Sequence, residues 1–265
     1  MASTSVAWTE ETRSVAGVDL HLRKGGSGAP LLILNDEFGH LGTLRYQDEL
    51  ARQHTVYIPT HPGFVPTPRL DWIMNMRDLA GWYLMALEEL GLTSVNAIGF
   101  SIGGWLAAEM ATMSPGQFNK LALVGAMGVQ PPEGYIYDMF LNVPGHCIAA
   151  CFHEPEATPE FQDVCPDQPS PEQAQAWEIA REEACRLGWK PYMYYPGLPN
   201  LLKRLKDLPT MIVWGGEDEV VPISAGQLYH QSIPGSRLEV LADCGHMPQV
   251  EKTEEFLALM RQFLA

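Results

Sequence analysis

Short apolar runs recur along the chain, each ending at a polar or glycine-bearing loop: Leu31–Leu34, Val56–Ile58, Val95–Ile98, Leu121–Val124, Met211–Trp214 and Leu238–Leu241. Runs of this kind are what strands buried in a parallel sheet require. Between them the apolar residues change period. Leu79, Trp82, Tyr83, Ala86, Leu87 and Leu90 fall on one helical stripe, and Phe256, Leu259, Met260, Phe263 and Leu264 on another. Strands alternating with amphipathic helices define an α/β protein with a doubly wound, mostly parallel sheet. The first thirty residues alternate more weakly around Gly17 and Gly25-Gly26, which suits an antiparallel hairpin at the sheet's edge.

The rhythm breaks between residues 127 and 199. No sheet strand is expected there; instead come many prolines, a helical run from Pro171 to Leu187 and the aromatic stretch Trp189–Tyr195. A structureless loop of this length is improbable in a compact domain, so the segment is expected to be a helical insertion. Residues 1–126 and 200–265 then form the core domain and 127–199 the insert.

Seventeen basic against 32 acidic side chains leave a formal charge of −15. That balance repels nucleic acid and anionic membrane surfaces, so neither is expected as a partner. The start, Met1 to Trp8, has no basic segment and no apolar core, and no apolar run approaches the length of a membrane span, so a cytoplasmic location is expected. Five cysteines in such a chain are expected as free thiols. His146, Cys147, Cys151 and His153 lie close together but match no zinc spacing, so neither metal nor cofactor is expected.

The third apolar run leads into Gly99-Phe100-Ser101-Ile102-Gly103-Gly104, a serine between glycines where a strand pattern gives way to a helical one. Glycines two before and two after the serine suit a sharp strand-to-helix turn that holds the hydroxyl out in front of a helix N-terminus. A serine hydroxyl is a weak nucleophile until a base takes its proton, and the base needs a carboxylate to fix its tautomer. Later strands end at Gly216-Glu217-Asp218-Glu219 and at Asp243-Cys244-Gly245-His246. Singly, these residues have ordinary explanations as a helix cap, a turn residue and a loop histidine; as an ordered set after successive strands they point to chemistry.

The order serine, acid, histidine resembles the α/β-hydrolase superfamily. The likeness extends to Pro59-Thr60-His61-Pro62-Gly63-Phe64 as the turn after the fourth strand, to Trp214-Gly215 with Asp218 and Pro222 as the acid loop, and to Gly245-His246 as the histidine loop. The helical insert falls where these enzymes carry a cap. The resemblance implies Ser101 as nucleophile, His246 as general base and then acid, and Asp218 as orienting carboxylate. Glu217 and Glu219 are alternative acids, although the spacing to Pro222 favours Asp218.

For the oxyanion hole it implies the backbone N–H of Ile102 and a second donor from the loop after the first run. Many relatives read His-Gly there; this chain reads Asn35-Asp36-Glu37-Phe38-Gly39-His40, so the donor is the N–H of Glu37 or Asp36. Two carboxylates beside a developing oxyanion are adverse unless they point away, pair with a cation such as His40, or one is protonated. The simpler expectation is that both side chains face solvent or a structural partner. The sharper one is that one of them contacts substrate or a water.

Phe38, Trp105, Tyr137, Phe140, Trp189 and Met247 are the candidate pocket residues. They suit a small hydrophobic substrate. The expected reaction is hydrolysis of a carboxylic ester or lactone through an acyl-enzyme, by a monomer or homodimer. Carbon–carbon bond hydrolysis next to a ketone uses the same triad, and the Cys244-Gly245-His246 loop resembles those hydrolases as well. A non-catalytic ligand receptor on this fold is a third reading.

Overall fold

A computed structural model describes residues 6–39 and 42–265. The first five residues of the start considered above lie outside the described residues. All six apolar runs are strands of one sheet, each extended by one to three residues. In chain order the strands are β1 (Trp8–Val15), β2 (Val18–Gly26), β3 (Ala29–Leu34), β4 (His54–Pro59), β5 (Val95–Phe100), β6 (Phe118–Val124), β7 (Thr210–Gly215) and β8 (Arg237–Leu241). The helices are α1 (Arg45–Ala51), α2 (Met76–Glu89), α3 (Ile102–Met113), α4 (Pro144–Ala149), α5 (Phe161–Val164), α6 (Pro171–Gly188), α7 (Leu198–Leu201), α8 (Ile223–Ser232), α9 (Pro248–Glu251) and α10 (Thr253–Leu264).

The eight strands lie in the order β1-β2-β4-β3-β5-β6-β7-β8. Pairing is antiparallel from β1 to β2 and from β2 to β4, and parallel across the rest. The N-terminal hairpin therefore forms one edge. The chain steps from β3 outward to β4 and then returns past β3 to β5, so the winding reverses between β3 and β5. A crevice opens at the carboxyl ends of strands on either side of such a reversal. The Asn35–Gly39 loop follows β3, and Ser101 follows β5.

Burial explains the sequence pattern. β5 and β7 are buried at every position, as a central strand covered on both faces must be. In α10, Phe256, Met260 and Leu264 of the stripe are buried together with Leu257, each contributing about 1.5–3 kcal/mol of transfer free energy, while Leu259 and Phe263 are half-buried. Helix α2 starts at Asn75, whose side-chain oxygen accepts from the Arg77 and Asp78 N–H groups. Among the described residues no helix is long and apolar enough to cross a membrane.

Between β6 and β7 the chain carries α4 to α7 and no strand of the sheet. One bridge joins the two ends of this segment, with the Gly128 N–H bonded to the Met193 carbonyl and the Tyr195 N–H to that of Gly128. The residues that follow α4 lie over the loop after β8, where the Cys151 carbonyl accepts from the His246 N–H at 2.7 Å.

Candidate active site

Ser101 sits on a turn that the neighbouring backbone makes unavoidable. Its φ of 49° and ψ of −115° are strained for a residue with a side chain. A Cβ at Gly99 would collide with the Gly103 carbonyl, and one at Gly103 with the carbonyls of Leu34 and Asn35. The two glycines thus let β5, α3 and the loop after β3 close on one another. The Ser101 N–H bonds to the Val124 carbonyl at 3.0 Å, and its carbonyl accepts from Met127 at 3.1 Å, so the turn is tied to the end of β6.

The structure brings together the three residues that the spacing pointed to. Ser101 Oγ lies 2.8 Å from His246 Nε2, and His246 Nδ1 lies 2.8 Å from Asp218 Oδ2. With Nδ1–H donating to the carboxylate, Nε2 is left to accept from the serine hydroxyl. Asp218 is held by its other oxygen, which accepts from the Val220 and Val221 N–H groups at 2.9 and 2.8 Å. The Trp214 indole donates to the Val221 carbonyl at 2.8 Å and fixes that loop on β7. Glu217 and Glu219 are exposed. Burial opposes protonation of His246, but Asp218, its hydrogen bond, and the charges of Glu37 and Asp36 outweigh it and raise the imidazole's pKa.

Ile102 is the first residue of α3, so its N–H has no partner within the helix and is free to meet a developing negative charge. Opposite, the Asn35–Gly39 loop is shaped by Asp36, whose Oδ1 accepts from the N–H groups of Phe38 and Gly39 at 3.1 and 2.8 Å. His61 also supports it. Its Nε2 lies 3.3 Å from the Asn35 carbonyl and its Nδ1 2.6 Å from the Tyr83 hydroxyl. Burial lowers its pKa to about 4, so it is a neutral packing residue. His40 lies outside the described residues.

The expectation that both loop carboxylates face solvent or a structural partner holds for Asp36 alone. Glu37 is 2 % exposed, and among the described residues its Oε2 accepts no hydrogen bond. The pocket list also needs correction. Phe140 and Trp189 are 41 % and 59 % exposed and stack edge to face on each other, because the aromatic stretch after α6 turns outward. Trp105 is core: its ring packs beneath Gly128 and Gly188 and its indole donates to Glu109 at 3.3 Å. Phe38 and Met247 are buried and Tyr137 is half-buried; the Met247 N–H bonds to the Cys151 carbonyl. A cavity of about 300 Å³ opens beside the loop after β3, lined by Asp36, Phe38, His61, Phe64 and Trp177 among others; Ser101 and His246 are not in its wall.

Glu251 has no counterpart in the sequence reading. One of its oxygens accepts from Gly245 at 2.5 Å and the other from the Glu154 N–H at 2.6 Å, so it clamps the histidine loop to the segment after α4. No short motif marks such a residue; only the packing of α9 against that loop reveals it. Among the described residues no group of three or more His, Cys, Asp or Glu is placed to hold a metal ion. The Cys147 and Cys151 thiols instead donate to the carbonyls of Met139 and Cys147.

Burial and the neighbouring Glu37 raise the Asp36 pKa from 3.8 to about 6. A carboxyl whose pKa is raised on folding costs stability when ionised. The cost is absent below the unfolded value, grows between about 4 and 6, and is fully present above that. Asp36→Asn keeps the acceptor oxygen and removes the charge. It is expected to raise stability by on the order of 1–2 kcal/mol at pH about 8 and by nothing at pH about 4. Thermal melts at the two pH values check this; equal shifts at both would contradict it.

An eight-stranded, mostly parallel sheet with a serine on the strand-to-helix turn beside the winding reversal defines the class of α/β hydrolases. The chain belongs to the alpha/beta hydrolase family, whose model matches residues 26–259. It is 27% identical to the dihydrolipoyllysine-residue acetyltransferase component of an acetoin cleaving system from Cupriavidus necator, over 92% of this chain and 66% of that protein. To a 2-hydroxymuconate semialdehyde hydrolase from Pseudomonas putida it is 26% identical, over 94% of this chain and 92% of the other. Its fold resembles that of a bacterial membrane phospholipase A, with a TM-score of 0.80 at 21% identity over 97% of this chain and 86% of that one.

Proposed function

We propose that the protein is a serine hydrolase that cleaves carboxylic esters or lactones bearing hydrophobic groups. The observation that carries this reading is the pair of 2.8 Å contacts linking Ser101 to His246 and His246 to Asp218 on a strained turn. Ser101 Oγ attacks the carbonyl carbon while His246 Nε2 takes its proton. The oxyanion is met by the N–H of Ile102 and by that of Glu37, across the crevice, with Asp36 shaping the loop that presents it. His246 then protonates the leaving alkoxide, and a water, deprotonated by the same imidazole, releases the acid from Ser101.

In this reading residues 127–199 are the cap and residues 1–126 and 200–265 the hydrolase core. Ser101 and His246 are 2 % and 4 % exposed, so substrate enters when the segment carrying α4 lifts from the histidine loop. Phe38, Tyr137 and Met247 form apolar walls. Five buried thiols without a disulfide suit a reducing, cytoplasmic setting.

The second reading, carbon–carbon bond hydrolysis next to a ketone, is favoured by the likeness to the muconate semialdehyde hydrolase, whose named substrate carries a carboxylate. The charges of this site oppose it. Asp36 and Glu37 both bear on His246, and the arginines of α6 are committed: Arg181 to Glu178 and the Met139 and Asn142 carbonyls, Arg186 to Glu183 and the Ile73 carbonyl. An anionic substrate finds repulsion there and no free partner in the arginines of α6. A panel of p-nitrophenyl esters, lactones and vinylogous diketones separates the readings. Esters or lactones are expected to be turned over at least about a hundredfold faster in kcat/KM, a difference of about 2.7 kcal/mol in barrier; the reverse order would replace this reading with the second.

A further inference from the structure

Among the described residues, every buried carboxylate but one is matched. Glu109, fully buried, pairs with Arg77 at 2.6 Å and accepts from the Trp105 indole. Glu183 binds Arg69 and Arg186, and Asp218 binds His246 and two backbone N–H groups. Glu37 is the exception, buried to the same degree with Oε2 unpartnered among the described residues. Leaving a buried acceptor unmade is costly, and more so when it is charged.

What surrounds Glu37 defines the missing partner. Glu37 lies two residues after Asn35, whose carbonyl packs on Gly103 in the first turn of α3, and its charge raises the pKa values of His246, Cys147 and Cys151. The groups there are spent or acidic. The Cys147 and Cys151 thiols donate to backbone carbonyls, Asp36 is engaged with its own loop, and the Tyr192 hydroxyl donates to the Tyr137 carbonyl and accepts from the Met139 N–H. None of these supplies a cation or a spare donor. Among the described residues named, Oε2 therefore has no partner, which leaves it open to a group on the substrate.

We propose that Glu37 is a specificity residue that accepts a hydrogen bond from a donor on the substrate, an ammonium or a hydroxyl, carried close to the scissile carbonyl. This rests on the serine-hydrolase reading, in which the Glu37 N–H faces the oxyanion. The side chain of that same residue reaches no further than the second or third carbon from the carbonyl. A donor so placed satisfies Oε2, whereas an alkyl group there leaves it orphaned and a carboxylate is repelled. Discrimination of this kind is large because the site's own buried group is left unmade by the wrong substrate.

Three methyl esters of butanoic acid, carrying methyl, hydroxyl or ammonium on the third carbon, test this near neutral pH in a pH-stat, read as ratios of kcat/KM within each variant. Where an ester is not turned over, its competition against fluorophosphonate labelling of Ser101 supplies the ratio. The wild-type enzyme is expected to prefer at least one donor-bearing ester over the methyl-bearing one by about tenfold or more. In Glu37→Leu both ratios fall to about one, and in Glu37→Gln, which keeps an acceptor but not the charge, only a preference for hydroxyl survives. A wild-type enzyme indifferent to the donor, or ratios unchanged in Glu37→Leu, would overturn the proposal even if the variants were unstable, since the first result needs no variant. Loss of labelling at Ser101 in the wild type would instead overturn the serine-hydrolase reading.

Discussion

Replacing Ser101 by alanine is expected to lower kcat for ester hydrolysis by about a millionfold, to the residual rate supplied by binding and the oxyanion donors. The size of the effect follows from the absence of a substitute among the described neighbours. Cys151, whose carbonyl accepts from the His246 N–H, and Cys147, hydrogen-bonded to it, are the nearest thiols described above; burial pushes the Cys147 thiol up to about 11 and the Cys151 thiol well above its ordinary value, so neither offers a thiolate. Among the described residues the hydroxyl takes part in a single hydrogen bond, to His246, and the turn around it is held by backbone groups. Folding should therefore survive the substitution, which circular dichroism and a thermal melt would verify. A Ser101→Ala enzyme within about tenfold of wild type would refute the assignment.

Asp218→Asn is expected to lower kcat by about ten-thousandfold while leaving the fold intact. The amide oxygen of asparagine would keep the two N–H groups of Val220 and Val221, which now hold Oδ1. Its NH₂ would then face His246 Nδ1 and turn that nitrogen into an acceptor. The proton moves to Nε2, which no longer accepts from Ser101, so the base is present in the wrong tautomer. Glu217→Gln and Glu219→Gln change exposed side chains and serve as controls, each expected to stay within about threefold of wild type. Near-normal turnover by Asp218→Asn, with loss in one of the controls, would move the acid to that neighbour.

The sheet was legible because buried parallel strands leave continuous apolar runs such as Met211–Trp214, and the edge hairpin because the residues of β2 alternate. Ser101, Asp218 and His246 were legible because backbone constraint leaves traces: glycines where atoms crowd, and loops directly after strands. The lining was harder to read. Whether Phe140, Trp189 or Trp105 faces the site depends on how the segment between β6 and β7 folds back, and aromatic composition is the same for a ring turned outward as for one turned inward. Glu37 stood out in the sequence as an acidic residue in an adverse place. Its burial without a partner emerges only when α4 and the histidine loop are in position around it, as does the clamp formed by Glu251.

The central claim is that the structure holds an activated serine at position 101. Treatment with a fluorophosphonate probe, followed by proteolysis and mass spectrometry, tests it most directly. A single adduct on Ser101 is predicted, lost in Ser101→Ala and formed far more slowly in Asp218→Asn. A folded wild-type protein that carries no adduct, or carries it on another residue, would contradict the claim and favour a ligand-binding role for the same fold.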